Sequence, residues 1–153
     1  MRKKSDKKQN KTEDSSEPKA KKLVDDDRCF ACGAENKDGL QLKFETCAAD
    51  RSASTDYSIP GKFSGWADIT HGGIIATLLD EAMAYAAFST GKVCVTGEMT
   101  VRYKKPVPTE TLLHISGEIN EQKHRILYAS AEITMGNRTL ASCKGKLIEM
   151  KTV

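Results

Sequence analysis

Apolar and polar positions alternate with a period of two through Leu40-Gln41-Leu42-Lys43-Phe44, the pattern of a strand buried on one face. A second strand is expected at 53–59, where Pro60-Gly61 ends it; from there to Thr70 the chain has no period and reads as a loop carrying the single tryptophan, Trp66. The texture then changes. Residues 73–88 are an unbroken run of strong helix formers without proline, about four turns long, and Gly91 is placed to stop them. Everything beyond is strand-like: 93–105, 111–120, 125–135 and 139–150, parted by Pro106-Val107-Pro108, by residues 121–124 and by the hairpin candidate Gly136-Asn137. One helix between two early and four late strands predicts an α+β architecture, an antiparallel sheet wrapped on a single central helix.

Charge divides the chain in two. Residues 1–22 hold nine Lys or Arg and four acids with almost no aliphatic side chain, too little apolar surface to fold alone. The expectation is a disordered tail over 1–27 and one folded domain over 28–153. The 153-residue chain has 24 basic and 21 acidic residues; with 1–27 set aside, fifteen basic and fourteen acidic remain. The folded part is therefore nearly neutral, and any attraction to nucleic acid is left to the tail. Arg2-Lys3-Lys4 is followed by polar residues rather than an apolar run, which argues against a secretory signal, and the apolar stretch near 72–79 is too short to cross a bilayer. Five cysteines at irregular spacing then read as reduced thiols of a cytoplasmic protein.

The helix is apolar almost all round, yet its middle carries Asp80 and Glu81. Burying an unpaired carboxylate costs several kcal/mol. Neighbours on a helix stand about 100° apart, so one acid can reach a sheet edge while the other enters a cleft. A structural ion pair or a solvated helix edge would also account for them. Just upstream, His71-Gly72-Gly73 lets a ligand approach the helix end where amide N–H groups are unpaired and developing negative charge is favoured. A helix-entry turn is the plain alternative. Asp80 lies about seven residues further, roughly 10 Å along the axis, too far for both groups of one chain to grip the same carbonyl carbon. If both act, they come from different subunits.

The run from His71 to Ala82 resembles the signature of the hotdog-fold thioesterases of the PaaI-like group, with the acid nine positions after the histidine. Cys29-Phe30-x-Cys32-Gly33 with Asn36, Gly39-Leu40-x-Leu42-x-Phe44, Gly65-Trp66, and Glu98-Met99-x-Val101-Arg102-Tyr103 leading to Pro106-Val107-Pro108 extend the likeness. The resemblance implies five or six antiparallel strands around the helix, a homodimer or dimer of dimers with shared sites, and hydrolysis of an acyl-CoA thioester without a cofactor. By position Asp80 would be nucleophile or general base, Gly72 the oxyanion donor, His71 an orienting residue, and Thr96 a hydroxyl that positions water or the carboxylate. Glu81 leaves open which acid is used. Gly65 departs from relatives that place a polar side chain there.

Gly73 and Trp66 adjoin the helix entrance and are candidate substrate contacts. Arg102, Lys104 and Lys105 could hold the phosphates of coenzyme A by charge-assisted hydrogen bonds, or form an ordinary solvated strand end. Cys29-x-x-Cys32 is half of a zinc motif with no second pair, so packing of the N-terminal segment is preferred to a metal site. His114 and His124 stand without a catalytic spacing. The rival readings are a non-catalytic acyl-CoA binding or sensing protein on the same fold and an adaptor acting through the basic tail.

Overall fold

The computed structural model describes residues 23–151; residues 1–22, most of the expected tail, and 152–153 lie outside the described residues. Eight strands and one long helix follow in order: β1 (Glu45–Cys47), β2 (Ser52–Ser58), β3 (Ser64–Trp66), β4 (Ile69–Thr70), α1 (Gly72–Phe88), β5 (Cys94–Tyr103), β6 (Leu112–Lys123), β7 (Ile126–Met135) and β8 (Arg138–Glu149). Six of the strands form one sheet in the order β1-β2-β6-β7-β8-β5, antiparallel throughout. The expected α+β architecture, a sheet curled on a central helix, is the one found. None of the helices among the described residues is long and apolar enough to cross a membrane.

Two details differ from the sequence expectation. Leu40 and Leu42 are buried, as their alternation requires, but they lie outside the sheet. Their amides donate to the carbonyls of Phe30 and Ala31, and Gln41 between them has φ 51°, a left-handed turn of backbone that a continuous strand does not adopt. Alternation thus recorded which side chains are buried, while the pairing partner is the N-terminal segment. The strand that does join the sheet, β1, begins only at Glu45. The stretch read as a loop before Thr70 contains the short β3–β4 ladder, too brief to leave a period.

Ile75, Leu78, Leu79, Ala82, Met83, Ala86 and Ala87 recur at three- and four-residue spacing and form the buried stripe of α1. Beneath it the sheet presents a row of modest side chains: Ala53 opposite Gly117, Gly117 opposite Ala131, Ala131 opposite Cys143 and Cys143 opposite Val101. At the centre of the row the helix backbone lies on Gly117 itself; a Cβ there would stand 2.4 Å from the carbonyl oxygen of Ala82. Backbone cannot yield as a side-chain tip can. Gly117→Ala is expected to destabilise the fold by about 1–3 kcal/mol or more, the range of core overpacking. Urea unfolding of the variant checks this, and an unchanged midpoint would show that the helix can ride up at little cost.

Candidate active site at the helix entrance and the sheet edge

The helix begins with its cap. His71, in extended backbone at φ −60° and ψ 136°, accepts the Gly73 N–H on its Nδ1 at 3.0 Å. A neutral ring in this role carries its proton on Nε2. The carbonyl of His71 takes the amides of Ile74 and Ile75 at 2.9 and 3.1 Å. Among the described residues the Gly72 N–H has no hydrogen-bond partner, so of the two glycine amides at the helix entrance it is the one free to meet a ligand. Tyr103, from β5, donates its hydroxyl to the Gly72 carbonyl at 3.0 Å and lays its ring against the glycine, where a Cβ would lie 3.6 Å from the ring.

Around this entrance lies a cleft of about 450 Å³ lined by Trp66, Ile69, Thr70, Gly72, Ile75, Tyr103, Lys104, Lys105, Pro106 and Val107. Its walls are apolar and its rim carries two lysines. The Thr70 hydroxyl is buried and has no hydrogen-bond partner among the described residues. Trp66 is 83% exposed, a large indole left in water beside the cleft.

Asp80 sits further along the same helix, where Thr96 of β5 donates its hydroxyl to Asp80 Oδ1 at 2.6 Å. A β-bulge makes this contact possible. Met99 and Val101 stand opposite the helix-facing Gly145 and Cys143, which puts odd-numbered residues of β5 toward α1. Gly97 is the extra residue between Thr96 and Glu98, so Thr96 rather than Gly97 comes opposite the buried Leu147, and from there the even-numbered residues face inward. The bond fixes one carboxylate oxygen, and Oδ2 has no hydrogen-bond partner among the described residues.

Glu81 turns away, as its 100° offset from Asp80 demands. Its Oε1 is 3.8 Å from the Cys29 thiol, and Cys32 stands beside the pair. Burial raises the Glu81 carboxyl above its ordinary range, a shift that hydrogen bonding from Cys32 opposes. Burial likewise pushes the Cys32 thiol up to about 12. The neighbouring acids therefore occupy different surroundings, one bonded to a hydroxyl at the sheet edge and one packed against thiols of the N-terminal segment.

Of the residues singled out in the sequence, the structure gathers Trp66, Gly72, Lys104 and Lys105 at one cleft and pairs Thr96 with Asp80. It separates Arg102 from them: Arg102 stands opposite Ser142 and lines a groove on the outer face of the sheet with Thr100, Ser142 and Lys144. Sequence reasoning missed Tyr103, whose contact with Gly72 spans 31 positions. Its only advance signal was an aromatic side chain in a strand end otherwise made of cations.

Residues 67–142 match the family model of the thioesterase superfamily, and the chain belongs to that superfamily. Its six strands on one helix are the hotdog fold of thioesterases of known structure. A thioesterase superfamily protein superposes with a TM-score of 0.75 at 22% identity over 86% of this chain and 68% of its own. The PaaI protein of the E. coli phenylacetic acid degradation operon gives 0.63 at 22% identity over 68% and 76% of the two chains. A hypothetical thioesterase from Streptococcus pneumoniae TIGR4, solved with coenzyme A, gives 0.66 at 20% identity over 72% and 89%. Among curated proteins, acyl-coenzyme A thioesterase THEM4 of Rattus norvegicus is 32% identical over 69 residues, 45% of this chain and 30% of the rat protein. The chain thus matches less than a third of that relative's length.

Thr96→Val tests the pairing directly. Because the bond lies at an exposed edge, stability in urea is expected to change by no more than about 1 kcal/mol. The Asp80 side chain, without its donor, is expected in more than one rotamer in a crystal structure of the variant; a single unchanged rotamer would assign its orientation to packing alone.

Proposed function

We propose that this protein hydrolyses an acyl-CoA thioester to the free acid and coenzyme A, in a site assembled from two copies of the chain. The observation that carries the reading is the disposition of two groups on one helix. The free Gly72 N–H stands at the helix entrance, and Asp80, oriented by Thr96, lies eight residues on, roughly 12 Å away at 1.5 Å per residue. A thioester carbonyl held by one copy's Gly72 is out of reach of the same copy's Asp80.

Thr96 lies on β5 and Asp80 beside it on α1, and among the described residues the outer edge of β5 has no strand beside it. That edge is ten residues long, and Val93, Val95 and Tyr103 along it are exposed. A second copy joined there would cover the apolar side chains, satisfy the edge and bring a second helix to the first. The similarity to the coenzyme A-bound streptococcal thioesterase and to the rat acyl-CoA thioesterase supports the substrate class.

In this reading the thioester carbonyl lies at Gly72, where the amide and the positive end of the helix stabilise the oxyanion. His71 holds the neighbouring amide and so keeps the entrance turn in shape; Tyr103 ties down the Gly72 carbonyl. Asp80 of the other copy uses its free oxygen in one of two ways. In the first it attacks the carbonyl carbon, the C–S bond breaks to release the thiolate of coenzyme A, and water then hydrolyses the mixed anhydride to the free acid. In the second it takes a proton from a water that attacks the carbon, and the C–S bond of the tetrahedral intermediate breaks. The cleft beside Gly72 offers apolar walls for the substrate chain, with Lys104 and Lys105 at the rim for phosphate. Glu81 faces the thiols of Cys29 and Cys32, which favours Asp80 as the acting carboxylate.

Two measurements follow. Asp80→Asn is expected to lower the release of free thiol from acyl-CoA by at least about 100-fold, the lower range for removing a positioned acid–base group, with the fold retained. Full activity would remove Asp80 from the mechanism. Gly72→Pro deletes the proposed oxyanion donor at the first helical position, where proline is tolerated, and is expected to be inactive alone. After denaturation and joint refolding with Asp80→Asn in equal amounts, half the pairs are mixed and each mixed pair holds one intact site. About a quarter of the wild-type activity should return by this pairing of a twofold assembly. No recovery would place both groups in one chain.

A further inference from the structure

Cys29, Cys32 and Glu81 take no part in that chemistry, yet one ligand atom from each lies within 4.8 Å of the other two. Neither cysteine is engaged in a disulfide. The cysteine pair is preformed by its own backbone. The Gly33 amide donates to the Cys29 carbonyl at 2.8 Å, the Glu35 amide to the Asp27 carbonyl at 3.0 Å, and the Asn36 side-chain amide to the Arg28 carbonyl at 3.3 Å. Gly33 sits so close against this turn that a Cβ would stand 2.4 Å from the Asp27 carbonyl oxygen. The loop therefore keeps its shape whatever lies between the sulfurs, and it presents them to α1, where Glu81 meets them.

The spacing suits a shared ion. Zinc takes thiolate sulfur at about 2.3 Å and carboxylate oxygen at about 2.0–2.2 Å in a tetrahedron, which sets sulfur–oxygen separations near 3.5 Å. The Cys29 sulfur and the Glu81 oxygen are 3.8 Å apart. Two soft thiolates beside one carboxylate select zinc-like cations over magnesium or calcium. Electrostatics points the same way: among the described residues no Lys, Arg or His forms an ion pair with Glu81, so a half-buried carboxylate stands without a cation.

We propose that Cys29, Cys32 and Glu81 form a three-ligand site for a thiophilic divalent cation, with the fourth tetrahedral position open to water on the exposed side of Cys29. On binding, the two thiols give up their protons to solvent, two metal–sulfur bonds and one metal–oxygen bond form, and no electrons change hands. The ion staples the N-terminal loop to α1 one residue from Asp80. The site stands apart from the thioester reading, and either can fail without the other.

The test is a titration of the full, reduced, metal-free chain with cobalt(II), followed by zinc. One equivalent of cobalt is expected to bind with sulfur-to-cobalt charge-transfer absorption, zinc to bleach it, and the thermal unfolding midpoint to rise with zinc. Cys29→Ser with Cys32→Ser should abolish the absorption. Glu81→Gln should keep it but weaken cobalt binding by more than the roughly 10- to 100-fold that loss of an outer partner costs. Failure of the reduced wild-type chain to take up cobalt overturns the proposal without recourse to any variant. So does equal affinity in Glu81→Gln, or a Cys29–Cys32 disulfide formed in air by a chain that binds no cobalt once reduced.

Discussion

The contact between the backbone of α1 at Ala82 and the bare Cα of Gly117 governs this molecule. It sets the height of the helix above the sheet, because a helix resting on a glycine lies closer than one resting on side chains. The row of Ala53, Ala131 and Cys143 on either side keeps the trough shallow enough for that approach. Larger apolar side chains, such as Ile115, Ile133 and Leu147, are buried outside this row. With the helix at this height, Asp80 can reach a hydroxyl on β5 and Glu81 can reach the thiols of the N-terminal loop.

From that seat the helix presents three polar groups to two proposed sites. Its first turn supplies an amide unpaired among the described residues and a favourable field; its middle supplies two acids that diverge by about 100°. The divergence matters more than the acids' nearness in sequence. Asp80 is held by a hydroxyl that leaves one oxygen available, whereas Glu81 is enclosed by thiols and shifted upward by burial. Two chemically identical groups are made unlike by what the sheet and the loop bring to them, and the proposed division of labour between hydrolysis and cation binding rests on that difference.

Much of the fold was legible in the sequence because its long elements are parted by plain turn signals. The helix and the four late strands fall within a few residues of their expected bounds, and the His71 to Ala82 run singled out the candidate site. What escaped was pairing over distance. Leu40 and Leu42 alternate like a strand, but alternation reports burial, and their backbone partners are Phe30 and Ala31 rather than a sheet neighbour. Thr96 was expected near the carboxylate only by resemblance, since the strand's own alternation places Gly97 toward the helix; the bulge that reverses this leaves no mark in a single sequence. The third member of the thiol cluster stands 49 positions beyond Cys32, on an element that no spacing rule connects to it.

The two margins of the sheet are unequal: β1 is a stub of three residues, while β5 runs for ten. Strands can be added along the long margin and hardly at all along the short one. Copies that join through the long margin about a twofold axis consume it on both sides, and only the stubs remain outward. Such a sheet closes after a single joining event and cannot run on into a filament, so the same inequality that invites a partner also limits how many are admitted.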